Sequence, residues 1–236
     1  MGRTVLVTRP EPGAGRTARR LESEGFVPIV LPLSQTCRID AELPPLPFSF
    51  ILAATSANAF RFAPALSGVK DVACYVVGAR TGAAVREAGL SSIVEGEGDA
   101  EALADLIIAR EKSGQTIVYL CGRVRMPVFE SRLREAGFDV LAVETYDTLP
   151  LKHETQTLAD AFSGRQIDAV LLYSAHAASA FISMLQGSEF AGLFAESKLL
   201  CLSKRVADRI SGNDLDIRIA ETPTEDALFS ALGRSF

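Results

Sequence analysis

The chain has 236 residues, 48% of them hydrophobic, and a formal net charge of −5. That apolar fraction supports a sizeable core and excludes a disordered chain. Lys and Arg are scattered instead of gathered in a basic patch, which argues against nucleic acid as a partner, and no apolar run approaches the ~20 residues needed to cross a bilayer.

The elements alternate along the chain. "TVLVT" (4–8) is short, apolar and β-branched, a buried strand, and "GRTARRLESEG" (15–25) is a helix stopped by Gly25. "VPIVLPL" (27–33) is a second strand, after which Pro44, Pro45 and Pro47 make a stiff connector. "FSFILAA" (48–54) predicts a strand and "ANAFRFAPAL" (57–66) a helix. "VACYVVG" (72–78), "RTGAAVREAG" (80–89), "SSIVE" (91–95) and "DAEALADLIIAREK" (99–112) continue as strand, helix, strand, helix. Such alternation with short loops is the signature of a parallel sheet covered on both faces.

The second half repeats the first. "LESEGFVPIV" (21–30) aligns with "LREAGFDVLA" (133–142), Ser56 with Ser174, "VVGARTGAAV" (76–85) with "CLSKRVADRI" (201–210), and "AEALADLI" (100–107) with "EDALFSAL" (225–232). Four matches in one order indicate duplication of a whole βα unit, not a short repeat. Each unit holds about five strands and four helices, the element count of a flavodoxin-like layer.

In such layers ligands sit beyond the carboxyl ends of the strands. Ser56 in "ILAATSANAF" and Ser174 in "VLLYSAHAASAF" stand there, each last before a helix. A serine in that place caps the helix, and the first turn leaves backbone N–H groups available to an anion; the cap alone would also explain it. Arg9 follows the first strand. Gly78 and Thr81 occupy one strand-to-helix turn, and Gly122, Arg123 and Arg125 another. "RPEPGAGRTA" contains G-x-G-x-x-A at Gly13, Gly15 and Ala18. The first glycine is too far from the strand, and the next strand end, "LPLSQT", lacks the acid a ribose needs, so a dinucleotide site is disfavoured. "ETPTE" (221–225) reads as a capping box with Thr222 as N-cap and Glu225 at N3, without chemistry. Cys37, Cys74, Cys121 and Cys201 form no C-x-x-C pair and read as reduced thiols, three of them in apolar runs; with only His153 and His176 available, no metal site is expected. "VETYDTLP" (143–150) and "PLSQTCRID" (32–40) overrun their strands and suit a ribbon between domains, with Tyr146 near its end.

The ordered phrases "VLVTRP", "FILAATSANAF", "VVGART", "VETYDTLP", "VLLYSAHAASAF" and "PTEDAL" resemble the uroporphyrinogen-III synthase family over the whole length. The resemblance implies an α/β protein with two flavodoxin-like parallel-sheet domains joined by a two-stranded antiparallel linker. Residues 1–34 and 150–236 would form the discontinuous domain 1, 42–142 domain 2, and 35–41 with 143–149 the linker, with substrate bound between the domains. It implies closure of hydroxymethylbilane to uroporphyrinogen III with inversion of ring D, through a spiro intermediate and without a cofactor. Tyr146 would protonate the departing hydroxyl. Ser56, Asn58, Gly78, Thr81 and Ser174 would hold substrate carboxylates, with Arg9, Gly122, Arg123 and Lys204 as further contacts. Here the chain departs from the family pattern at Ser203–Val206, where small hydroxyl residues are usual, and at Cys121–Gly122, where Arg-Gly is usual. The implied setting is a cytoplasmic monomer in transient contact with the preceding pathway enzyme, with no nucleic-acid or membrane partner. The alternative is a non-catalytic two-lobed binding protein for a sugar or anion; a nucleotide-sugar transferase would need a diphosphate site that the sequence does not offer.

Overall fold

The computed structural model describes residues 2–66, 69, 71–210 and 215–234. The chain divides into two compact units: unit 1 is Met1–Thr36 with Leu149–Phe236, and unit 2 is Cys37–Thr148.

The N-terminal part of unit 1 is β1 (Thr4–Val7), α1 (Gly13–Ser23) and β2 (Val27–Val30), followed by β3 (Ser34–Arg38), which carries the chain from unit 1 into unit 2. Unit 2 then runs β4 (Phe50–Ala54), α2 (Ala57–Arg61), β5 (Cys74–Val76), α3 (Ala79–Glu87), β6 (Ile93–Glu95), α4 (Ala100–Arg110), β7 (Thr116–Gly122), α5 (Val128–Glu135) and β8 (Asp139–Pro150). The chain re-enters unit 1 near the end of β8 and finishes as α6 (Thr155–Phe162), β9 (Ala169–Leu172), α7 (Ala175–Leu185), β10 (Lys198–Cys201), α8 (Lys204–Ala207), β11 (Asp216–Ile219) and α9 (Glu225–Arg234).

Unit 1 is a parallel sheet of order β11-β10-β9-β1-β2. Its central strands β1 and β9 are buried at every residue, as a sheet covered on both faces requires. Alternation along β1 sends Leu6 to one face, with Val170, Phe181 and Phe194, and sends Val5 and Val7 to the other, with Leu171, Leu228 and Phe229.

Unit 2 has the parallel order β8-β7-β4-β5-β6, with β3 beside β8 at the edge. In that edge Ile39 N donates to Thr145 O at 2.9 Å and Leu151 N to Leu33 O at 3.0 Å. One number falls as the other rises, the order of an antiparallel pair.

The two parallel layers have the same layout, entered at different strands. Placing β1, β2, β9, β10 and β11 over β7, β8, β4, β5 and β6 reproduces the spatial order of both sheets. This is the correspondence the sequence repeats define: α1–β2 with α5–β8, the Ser174 turn with the Ser56 turn, and α9 with α4. Local bonding agrees. Phe26 N donates to Leu21 O at 2.9 Å after α1, and Phe138 N to Leu133 O at 3.0 Å after α5.

Two elements differ from the sequence reading. The helix expected over 57–66 ends at Arg61. Pro64 drives the residue before it out of helical geometry, and the turns preceding it lose their continuation. The expected capping box at 221–225 is shifted by two. Thr224, not Thr222, caps α9, its Oγ1 accepting from Ala227 N at 3.3 Å, so Glu225 opens the helix instead of sitting at N3. Thr224 stands where Asp99 caps α4 in the other unit, accepting from Glu101 N and Ala102 N at 3.0 Å.

Candidate active site at the strand ends

In a doubly wound sheet the chain turns away in both directions from one pair of central strands, and the crevice beyond their carboxyl ends takes the ligand. That pair is β4 and β7 in unit 2, and β1 and β9 in unit 1. Ser56 follows β4 and Gly122 is the last residue of β7. Arg9 and Ser174 follow the second pair.

Unit 2 builds its strand end around Tyr146. Pairing of β7 with β8 is regular up to Cys121 opposite Glu144, then slips so that Gly122 stands opposite Tyr146. The extra residue is a β-bulge, which re-aims the side chains that follow it. Thr145 is fully buried and donates to Ala59 O at 3.0 Å. Tyr146 then turns to the same face as Val143 and packs on the cluster containing Leu52, Phe60 and Leu120. Regular alternation would have sent it to the opposite face. Its ring lies over Gly122, where a Cβ would fall 2.7–2.9 Å from the ring and hydroxyl atoms; only glycine admits it. Burial pushes the Tyr146 phenol above its ordinary value of 10, and the neighbouring Ser56 hydroxyl pulls it part-way back. The phenol is therefore protonated at neutral pH, a donor placed beside a helix cap.

Ser56 caps α2, its Oγ accepting from Asn58 N at 3.3 Å. Asn58 Oδ1 in turn accepts from Arg61 at 3.3 Å. Gly78 precedes α3 in extended geometry, and a Cβ there would meet nothing nearer than Gly96 O at 3.6 Å. Thr81, one turn into α3, is 4% exposed. Below these, Tyr119 on β7 bonds Thr55 at 2.7 Å and packs on Phe129, with burial raising its phenol to about 12.

The arginines after β7 are engaged. Arg123 reaches Glu144 at 3.1 Å and Asp147 at 3.4 Å. Arg125 reaches Glu130 at 2.6 Å, Glu144 at 2.9 Å and Gly122 O at 3.1 Å. Hydrogen bonds from Arg125 and then Arg123 hold the Glu144 carboxyl below its ordinary range.

Unit 1 carries a different group at the corresponding place. Glu225 Oε1 accepts from Thr17 at 2.6 Å, Arg9 at 2.7 Å and the Tyr173 hydroxyl at 2.8 Å. The Arg9 guanidinium stacks on the Tyr173 ring at 4.2 Å. A Cβ on Gly13 would come within 2.6 Å of Arg9 Nε, so that glycine makes room for the arginine and not for a pyrophosphate. Burial drives the Glu225 carboxyl up, but the bonds from Thr17 and Tyr173 and the charge of Arg9 outweigh it, leaving a net lowering. Burial raises the Tyr173 phenol above its ordinary value.

The sequence reading gave Glu225 no role beyond a cap. It is the centre of a four-residue lock that ties the ends of β1 and β9 to the start of α9. Next to it Ser174 caps α7, Oγ accepting from Ala177 N at 3.1 Å. Lys204 is exposed and pairs with Asp208 at 2.9 Å. Among the described residues no three of His, Cys, Asp and Glu gather to hold a metal ion, and no helix is long and apolar enough to cross a membrane.

The family model described as "Uroporphyrinogen-III synthase HemD" matches residues 15–230. The chain belongs to the uroporphyrinogen-III synthase family. A curated relative, the uroporphyrinogen-III synthase of Chlorobaculum parvum, is 26% identical over 199 residues, covering 79% of this chain and 81% of its own. Among solved structures, uroporphyrinogen-III synthetase from Helicobacter pylori is 19% identical with a TM-score of 0.66, covering 100% of this chain and 99% of that one. A mutant uroporphyrinogen III synthase from Thermus thermophilus gives 17% identity and a TM-score of 0.53, covering 99% and 98%. At those identities the two structures speak for the fold. Family membership carries the activity class and lends no support to the sugar- or anion-binding alternative.

Proposed function

We propose that this chain is a cytoplasmic hydro-lyase that closes hydroxymethylbilane into uroporphyrinogen III, with ring D inverted, loss of water and no cofactor. The pyrrole nitrogen of ring A expels the hydroxide of the hydroxymethyl group, and Tyr146 supplies the proton that makes it water. The substituted carbon of ring D attacks the resulting azafulvene cation, giving a spiro intermediate. Fragmentation and re-closure through the unsubstituted carbon leave ring D turned over, and the proton lost in that last step restores the phenol.

The observation that carries the reading is the placing of Tyr146 by the β8 bulge over Gly122 and beside Ser56, at the ends of the two central strands of unit 2. A protonated phenol with raised affinity for its proton is a weak acid, and the substrate's own nitrogen does most of the expulsion. The harder task is steering, because direct attack by the unsubstituted carbon gives the uninverted type I ring. Positioning can supply several kcal/mol for that choice.

The substrate's eight carboxylates suit main-chain N–H groups at helix starts. We assign the Ser56, Asn58, Gly78 and Thr81 turns of unit 2 to some of them, with the Ser174 turn, Arg9 and Lys204 of unit 1 and Gly122 and Arg123 of unit 2 as further contacts. The test mixes freshly prepared hydroxymethylbilane with the protein, oxidises the products and separates type III from type I porphyrin by chromatography. Type III is expected; type I alone, at the spontaneous rate, would overturn the reading. Tyr146→Phe is expected to lower kcat about tenfold, less than a strong general acid would, while the product stays type III.

A further inference from the structure

We propose that the loop at residues 123–127, between β7 and α5, is the ring-facing part of the site, with Val124 and Met126 forming an apolar seat for a pyrrole face of the substrate. The proposal rests on the synthase reading above and assigns it a specificity element that the carboxylate contacts do not supply.

Val124 is 50% exposed and Met126 52%. Single exposed hydrophobes are ordinary on a surface; two in one loop, directly after the glycine beneath Tyr146, are less so. The loop is held firmly. Arg125 donates to Gly122 O at 3.1 Å and to Arg123 O at 3.4 Å, and its other bonds run to Glu144 and to Glu130, which is only 7% exposed. Arg123 is fixed on Glu144 and Asp147. Positions 123 and 125 therefore turn towards the acids, and 124 and 126 are left on the outside. Met126 precedes Pro127, which biases it towards extended geometry and keeps it out of α5.

The same ion pairs restrict what the loop can offer. Arg125 already holds Glu130 and Glu144, so a substrate carboxylate would have to displace one of them to reach it, whereas a flat apolar ring needs no such exchange. The loop starts beside Gly122, the last residue of β7, over which Tyr146 lies, and Arg123 N donates to Tyr146 O at 2.8 Å. A ring seated on Val124 and Met126 thus lies a few residues along the chain from the glycine beneath the proposed proton donor. Holding a ring face constrains which carbon of that ring can approach the cation, and acid arms on flexible stems do this poorly.

The test is a Val124→Ser/Met126→Gln double variant, assayed with hydroxymethylbilane beside the unaltered chain for kcat, KM, the type III to type I ratio and Tm. Polar substitutions at such exposed positions are near neutral for stability, so Tm should hold. KM is expected to rise about tenfold, the factor expected from losing the partial burial of two apolar side chains, and the share of type I product to rise with it. A Val124→Ile/Met126→Leu variant, which keeps the apolar surface, should restore both values. Type III product from the unaltered chain together with unchanged KM and ratio in the Ser/Gln variant would overturn this proposal and leave the synthase reading standing. Loss of activity with a fall in Tm that the Ile/Leu variant does not repair would overturn it too, by showing a structural role. Type I alone from the unaltered chain would overturn the synthase reading and this proposal together.

Discussion

The two units share one layout but differ at their strand ends. In unit 2 the residues around Ser56 leave a tyrosine, a glycine and a capped helix start close together, with acids and arginines paired off to one side. In unit 1 the corresponding place is occupied by the Arg9–Thr17–Tyr173–Glu225 lock. The position of Glu225 in α9 is taken by Ala100 in α4, so unit 2 has no counterpart to it. Duplication preserved the layer and its caps, and the polar groups above the layer diverged: one edge became a candidate for chemistry, the other a brace that keeps the Ser174 turn in place.

That contrast can be broken from the unit 2 side most forcefully. Gly122→Ala places a methyl within 2.7 Å of the Tyr146 ring and must displace it. A misplacement of about 1 Å can cost roughly 100-fold in rate, so kcat should fall by about that factor, more than for Tyr146→Phe, because the displaced ring also intrudes on the Ser56 turn. Stopped-time product analysis measures it, and a rate within threefold of the unaltered chain would separate Tyr146 from the reaction.

On the unit 1 side, Glu225→Gln should act on stability first. The ion pair with Arg9 is partly exposed, at 17% and 35% for the two side chains, which places the cost at about 1–2 kcal/mol, between surface and buried pairs. Denaturant unfolding reads this directly. The Glu225 carboxyl is lowered from 4.5 in the folded chain. Its contribution is therefore full above the unfolded value and is lost as pH falls through the folded one. The stability gap between the unaltered chain and the variant should close below pH 4.5; a gap that persists or widens there would show that the carboxylate charge is not what the lock uses.

The smallest effects sharpen the comparison between the two serines. Ser56→Ala and Ser174→Ala each remove a helix cap worth about 1 kcal/mol. Ser56 also stands beside the Tyr146 hydroxyl, so its loss should lower kcat about threefold to fivefold, whereas Ser174→Ala should raise KM and leave kcat alone. Equal effects on kcat would mean that the two turns are functionally alike after all.

Much of this was readable in the residues. Apolar β-branched runs separated by amphipathic helices gave the parallel layers, because a strand buried on both faces has no other composition available. The repeated serine turns were legible because a cap needs a short hydroxyl in a fixed place. The permuted order was not, since alternation fixes neighbours along the chain and not neighbours across a sheet. Tyr146 became a candidate through its motif, but the bulge that turns it was invisible: an extra residue changes the facing of a side chain without changing local composition. Glu225 was missed because Thr222 and Thr224 are both competent caps, and the choice between them is made by Arg9, Thr17 and Tyr173, which lie far away in sequence. The ion pairs of Arg123 and Arg125 were not legible, because Glu130, Glu144 and Asp147 sit on other elements.

The way the chain enters each layer affects synthesis. Unit 2 is one uninterrupted stretch, and its central strands β4 and β7 come off the ribosome within a single stretch of chain. Unit 1 instead joins β1 to β9, and Thr4 N bonds Asp168 at a separation of 164 residues. The β1–α1–β2 segment must therefore wait, its inner edge unpaired, while the whole of unit 2 is translated, and β9–β11 with their helices, which follow unit 2, are what cover it.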